Sequence, residues 1–378
     1  MNMSTTPKRY PALDVFRGMT IIFMIIVNSP GSWSFVYGPL QHAEWHGFTP
    51  TDLVFPSFLL AVGTAMSFSM RNWGQFSSGQ ALQKILKRTA LLFLLGYLMY
   101  WYPFFRLDLN WQTSAFPISE TRIFGVLQRI ALAYGAAAIM LHFLGRRWSY
   151  TLALLMLPAY WWIMMAFDAD PTNPFSLEGN AVRALDLQLF GAAHLYMGDG
   201  LPFDPEGLLS TLPAIVNVIA GYAAGQMIQK DRNAKNKRID LMLIGATALI
   251  LAIFWDLAFP INKKLWTSSF VLLTVGLDLL IIGLLIGWLP VDKALPRWGQ
   301  FFQIAGKNPL TIYLLSEIAL ITLGMIPAGN GVLWSWIYDH GFTWMGVKLG
   351  SFAMAATFSL LCWSVGYGMD KKGIYLKV

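Results

Sequence analysis

Apolar runs of about twenty residues recur along this chain, separated by short polar links, and a run of that length crosses a bilayer as a helix. Ten such spans are predicted, at 12–30, 51–70, 88–104, 123–143, 148–167, 208–229, 239–258, 267–289, 308–327 and 344–367. The pattern therefore predicts an all-α polytopic membrane protein of about ten transmembrane helices, read as one domain over 1–378. Two links stand out. One, at 31–50, is rich in Gly, Pro and Trp, and the other, at 168–207, carries seven acids against Arg183 alone.

Composition agrees with the pattern. The 378 residues are 56% apolar or aromatic and 12% charged, whereas a soluble domain carries about 25% charged residues. The formal charge is +7, but its distribution says more than its size. Nineteen of the 27 Lys and Arg fall in the links and tails of one side. Five fall on the other (Arg106, Arg122, Arg183, Lys263 and Lys264), and Arg17, Arg129 and Lys348 lie within spans. Cations are retained on the cytoplasmic side, so both termini are expected inside and the 31–50 link outside. Basic residues spread over alternate links do not make the single basic face of a nucleic-acid reader. Lys8 and Arg9 precede an apolar run, as in a signal peptide. No small-x-small cleavage site follows, and Asp14 and Arg17 lie inside the run, so a retained first span is expected. Cys362 is the only cysteine, which excludes an intrachain disulfide.

Candidate chemistry gathers in the 31–50 link. His42 lies within it, Asn28 closes the span before it and Asp52 opens the span after it. A neutral imidazole accepts a proton from an attacking amine near pH 7. Asn28 could orient the ring or donate to a developing oxyanion, and Asp52 could fix the tautomer or cap its helix. His46 stands four residues from His42, but two loop ligands without a third make no zinc site, so no metal is expected. Arg17 lies one helical turn from Asp14. It either pairs with that acid or holds a phosphate-bearing donor. In span four, Arg122 and Arg129 fall seven apart on nearly one face, with Gln128 adjacent. A buried arginine marks a functional site unless Glu317, Asp278 or Asp256 neutralises it. Glu206 heads span six. Lys264 and Trp266, beside Lys263, suggest a phosphate or sugar contact. Lys307 and Asn308 open span nine from the inside. Arg17, Arg129, Gln128, Lys307 and Asn308 are taken as donor contacts, and Arg122, Glu206, Lys264 and Trp266 as acceptor contacts. Gly221/Gly225 and Gly283/Gly287 have the spacing that lets helices approach closely within one chain.

The stretches LDVFRG (13–18), Asn28 and HAEWHGFTPTDLVFPSFLLAVG (42–63) resemble the heparan-α-glucosaminide N-acetyltransferase family, bacterial members included. RIFGVLQR, FDPEGLLSTLPAI, INKKLWTSSF and GKNPLTIY follow in the order of its later motifs, so the likeness covers nearly the whole chain. The resemblance implies transfer of an acetyl group from cytoplasmic acetyl-CoA to the amine of a glucosamine-type sugar across the bilayer. It places the active-site histidine at His42, its partner asparagine at Asn28 and the motif aspartate at Asp52. Compared with the lysosomal member, the chain has a few extra residues between Asn28 and His42, has His46 where asparagine is usual, and lacks a luminal N-terminal domain. The expected acceptor is therefore a small amino sugar or glycan end rather than polymeric heparan, and the expected location is a bacterial inner membrane. His42 acts either as general base or as the carrier of a covalent acetyl group. An amino-sugar permease and an O-acyltransferase of a surface glycan are the competing readings, and a homodimer is left open.

Overall fold

The computed structural model describes residues 10–107, 111–230, 233–289 and 294–376. Among the cations assigned to the inside, Lys8, Arg9, Arg232, Lys293 and Lys377 lie outside the described residues, as do both ends of the 1–378 domain.

The described chain is mostly helical. Its longer helices are α1 (Pro11–Asn28), α2 (Val54–Ser69), α3 (Ser78–Trp101), α4 (Val126–Ile139) and α5 (Gly145–Ala166), with a short α6 (Ala181–Phe190). They continue as α7 (Thr211–Gln229), α8 (Ala234–Asp256), α9 (Ser268–Trp288), α10 (Arg297–Lys307), α11 (Pro309–Leu323), α12 (Leu333–Gly341) and α13 (Val347–Lys371). Two small antiparallel hairpins, Phe105–Leu107 with Thr113–Ala115 and Pro327–Ala328 with Gly331–Val332, complete it.

Among the described residues, seven helical segments are long and apolar enough to cross a membrane. One, Val126–Ala166, covers most of both segments predicted at 123–143 and 148–167. The turn between them falls at Gly145, whose φ of 76° suits glycine, and Arg146 and Arg147 lie in the first turn of α5. Two predicted spans fall short of that standard. Pro309–Leu323 is a shorter apolar helix, and α3 carries Lys84, Lys87 and Arg88 in its first half. Helix α3 also starts ten residues before the predicted 88. Ser77 caps it, accepting from the Gln80 backbone N–H at 3.3 Å while Gln80 Oε1 accepts from the Ser77 N–H at 3.0 Å. That reciprocal pair satisfies two orphan donors of the first turn and lets the helix begin in a polar stretch.

Close backbone approach sets the centre of the bundle. A Cβ on Gly221 of α7 would lie 2.0 Å from the Leu60 carbonyl of α2, and one on Gly18 of α1 would lie 1.7 Å from the Phe302 carbonyl of α10. Only glycine fits at such crossings. Gly225 likewise meets α2, while Gly283 and Gly287 meet Met242 and Arg238 of α8, so both glycine pairs serve packing within the chain. Helices α1, α2 and α7 are buried along most of their length. Only 22% of the apolar stretch of α8 is buried. Its Leu243, Ile250, Ile253 and Phe254 face outward, as apolar side chains do toward lipid.

The links gather at two ends. At one, the 29–53 link is tied to its neighbours by hydrogen bonds from Gly31 to Ser351, Gly47 to Ile261 and Trp45 to Phe175. At the other, Arg146 meets Gln226, and Lys307 meets Asp370.

Candidate active site

The 29–53 link is short of regular structure but folded back on itself. It holds three 3-10 turns, Trp33–Phe35, Gly38–Leu40 and Pro50–Leu53, and the last two are tied together by hydrogen bonds from Thr51 Oγ1 to the Pro39 carbonyl at 3.1 Å and from Thr49 Oγ1 to the Gln41 carbonyl at 2.6 Å. Gly47, at φ 110°, turns the chain where a side chain would be strained.

This fold aims His42 at Asp52. His42 Nδ1 lies 2.6 Å from Asp52 Oδ1, and Asp52 is fully buried. The other carboxylate oxygen accepts from the backbone N–H groups of Thr49, at 2.9 Å, and Ala43, at 3.2 Å. Asp52 thus caps its helix and fixes the imidazole at once, where the sequence left these as alternatives. With Nδ1–H donated to the carboxylate, Nε2 carries the ring's lone pair. Lys263 Nζ approaches that atom to 3.1 Å, closer than its 3.4 Å to Nδ1. The His42 side chain keeps 40% of its surface exposed. Burial of the rest and the Lys263 charge lower its pKa below the ordinary value of 6.5, against the raising effect of Asp52.

Behind Lys263 lies a buried ionic cluster. Arg122 donates through Nε and Nη2 to Asp204, at 2.9 and 2.8 Å, and through Nη2 to Glu206 at 2.6 Å. Its guanidinium stands over the Tyr100 and Tyr196 rings. Burial works to raise the Glu206 pKa, yet Arg122, Arg129 and Lys263 together hold it below the usual carboxylate value. Arg129 is fully buried, 4.8 Å over the Trp266 ring. It donates to the Gly207 carbonyl and to Ser210 Oγ, and its Nε and Nη1 have no hydrogen-bond partner.

A cavity of about 640 Å³ lies between α1, α2, α3, α4 and the α10–α11 junction. Arg17, Arg88 and Lys307 line it, together with Met24, Phe58, Leu127 and Tyr313. Arg88 Nε is buried without a partner. Met24 precedes Asn28 by one helical turn, and Phe58 follows Asp52 by less than two, so the cavity reaches to within about 10 Å along those helices of the His42 end. A second cavity, of about 490 Å³, is lined by Glu44, Trp45, His46, Glu178, Asp199 and Lys264.

Residues 9–255 match a family model described as heparan-alpha-glucosaminide N-acetyltransferase, catalytic. The chain belongs to that family. It is 26% identical to the heparan-alpha-glucosaminide N-acetyltransferase of Homo sapiens over 370 residues, covering 84% of this chain and 54% of the human protein. The Mus musculus protein gives 26% over 367 residues, covering 83% and 54%. The chain thus spans about half the length of the curated relatives it matches.

The family-matched stretch contains Arg17, Asn28, His42, Asp52, Arg122, Gln128, Arg129 and Glu206, and the structure sorts these into different places. His42 and Asp52 touch. Asn28 hydrogen-bonds to Glu317 rather than to His42. Arg17 and Lys307 line the larger cavity, where Arg17 pairs with Asp14 and Lys307 with Asp370 at 2.8 Å. Asn308 holds the C-terminal segment instead, through the Ile374 carbonyl and the Leu376 N–H. Gln128 is buried with its amide on the Ile123 carbonyl, and neither it nor Arg129 is among the residues lining that cavity. Lys264 pairs with Asp199 at 2.5 Å, while Trp266 is fully buried between Phe55 and Phe270. Lys263, which the sequence marks only as part of a possible phosphate or sugar contact with Lys264 and Trp266, is the lysine that meets His42. Its one signal is a lysine pair on the side that disfavours cations.

Proposed function

We propose that this chain is a multi-pass membrane acetyltransferase that moves the acetyl group of acetyl-CoA to the amine of a glucosamine-type sugar. The larger cavity carries the proposal. Three cations at its far end suit the phosphates of a CoA-type donor, and the unpartnered Nε of Arg88 suits an anion that the protein itself does not supply. The apolar walls above them lead toward His42 and suit a pantetheine arm. The second cavity, beside His42 in the chain, offers Trp45 and three carboxylates to a cationic sugar. Both termini are proposed to lie in the cytoplasm of a bacterial cell and His42 outside it, with the whole chain acting as one transmembrane unit.

The chemistry follows from the hydrogen bonds around the ring. Asp52 holds Nδ1–H, so the Nε2 lone pair faces away from the carboxylate and can take a proton from the acceptor amine. A thioester is already activated, so the amine needs only to be deprotonated as it attacks. The low pKa of His42 keeps the ring neutral at pH 7.

The test uses the purified protein with radiolabelled acetyl-CoA and glucosamine, with labelled N-acetyl sugar as the expected product. Sugar uptake into proteoliposomes without a donor, and no labelled product, would replace this reading with a permease. Arg17→Ala and Lys307→Ala are each expected to raise the KM for acetyl-CoA about tenfold with kcat little changed, the loss of one charge-assisted phosphate contact. An unchanged KM in both would move the donor elsewhere.

A further inference from the structure

The loop between α8 and α9 is built more firmly than a connection requires. Asn262 Oδ1 accepts from the Leu265 N–H at 2.8 Å, Asn262 N–H donates to Thr267 Oγ1 at 3.0 Å, and Tyr160 donates to the Leu265 carbonyl at 2.6 Å. Trp266 holds φ at 54°, a left-handed conformation that is costly for a bulky residue and persists only where the surroundings impose it. Its indole N–H is tied to Asn217 at 3.0 Å. These contacts fix the backbone from which Lys263 projects, and they place Nζ 3.1 Å from His42 Nε2. Position, rather than reach along a flexible stem, holds the ammonium beside the ring, 3.1 Å from Nε2 and 3.4 Å from Nδ1, where an acyl group meeting the imidazole would come within its reach.

We propose that Lys263 is a catalytic residue: its ammonium, held against the imidazole in the resting enzyme, donates to the thioester carbonyl oxygen during transfer. The inference rests on the acetyltransferase reading given above. The amine nitrogen forms a bond to the acyl carbon, the carbonyl π pair moves onto oxygen, and Nε2 takes the amine proton. Lys263 donates an N–H to that oxyanion. Collapse restores the carbonyl, breaks the carbon–sulfur bond, and returns the Nε2 proton to the departing thiolate. The products are an amide and a free thiol, and Lys263 keeps its proton throughout. An ammonium already placed at the site need not reorganise when negative charge develops on oxygen.

The surroundings match that duty. Glu206 and Asp52 stabilise the Lys263 charge, while Arg129, Lys264 and burial oppose it, and the net effect is a pKa below the ordinary lysine value. Activity should therefore require neutral His42 and charged Lys263, rising through the first group's titration and falling through the second's.

Full-length Lys263→Met and Lys263→Arg, checked for folding by size exclusion and thermal melting in detergent, test this. Lys263→Met is expected to lower kcat about 100- to 1,000-fold, to leave the KM for acetyl-CoA within about threefold, and to abolish the alkaline limb of the kcat profile. Lys263→Arg should recover at least about tenfold of that loss. Nitrogen-15 histidine spectra give a second readout, because the chain has five histidines and His42→Ala identifies the resonance. Removing the neighbouring ammonium should raise the His42 pKa. A kcat within threefold of wild type overturns the proposal, and so does a large loss that leaves both the alkaline limb and the His42 titration unmoved. If wild-type protein transfers no acetyl group, the underlying reading fails, while the titration still reports on the Lys263–His42 contact.

Discussion

His42→Ala is expected to lower acetyl transfer about 100- to 10,000-fold while the protein still folds. The ring is partly exposed and packs little of the core, so its removal leaves the bundle intact, and the helix cap on Asp52 remains through Thr49 and Ala43. What disappears is the lone pair at Nε2 that takes the amine proton. The acid side of the pH profile gives the same residue a second signature. Burial and Lys263 lower the His42 pKa, so activity should rise with pH through a midpoint below 6.5 and that limb should vanish in the variant. Steady-state kinetics across pH, with circular dichroism to check folding, make the measurement. Turnover within tenfold of wild type would remove His42 from the chemistry.

Arg122→Ala is expected to destabilise the folded protein by about 3–5 kcal/mol. Asp204 is fully buried, and Glu206 nearly so, and both rely on the same guanidinium. Deleting it removes the one group that hydrogen-bonds both carboxylates and leaves only Arg129 and Lys263 to offset their charge in a site that water cannot freely enter. The effect should reach the active site too, because Glu206 is one of the charges that hold Lys263 in its ionised state. A lower melting temperature and an alkaline limb moved to lower pH should therefore appear together. Arg122→Lys should recover only part of the stability, since an ammonium cannot fork to both oxygens of Asp204. A melting point unchanged in Arg122→Ala would show the cluster to be of little consequence.

Much of this arrangement can be read from the residues because it is local. His42 and Asp52 are ten positions apart, in a link whose Gly, Pro and Trp content signals a packed loop, and the T-P-T-D boundary announces a cap. The glycine pairs likewise predict close packing, which Gly221 and Gly225 deliver against α2. Distance in sequence hides the rest. Lys263 is 221 positions from His42, and Arg122 is 82 from Asp204, so no periodicity joins them. Arg129 takes a carbonyl, a hydroxyl and an indole face rather than Glu317, Asp278 or Asp256. Those acids are engaged by Asn28, Ser57 and the Ile261 N–H. Helix α3 begins early because a capping box overrides its polar start. Hydropathy alone does not register such a cap.

Cryo-electron microscopy of the protein with a non-reactive thioether analogue of acetyl-CoA tests the central claim most directly. Density is expected in the larger cavity, with the phosphates among Arg17, Arg88 and Lys307 and the acyl end rising past Met24 and Phe58 toward His42 and Lys263. An analogue seated elsewhere, with its acyl carbon remote from the imidazole, would contradict it.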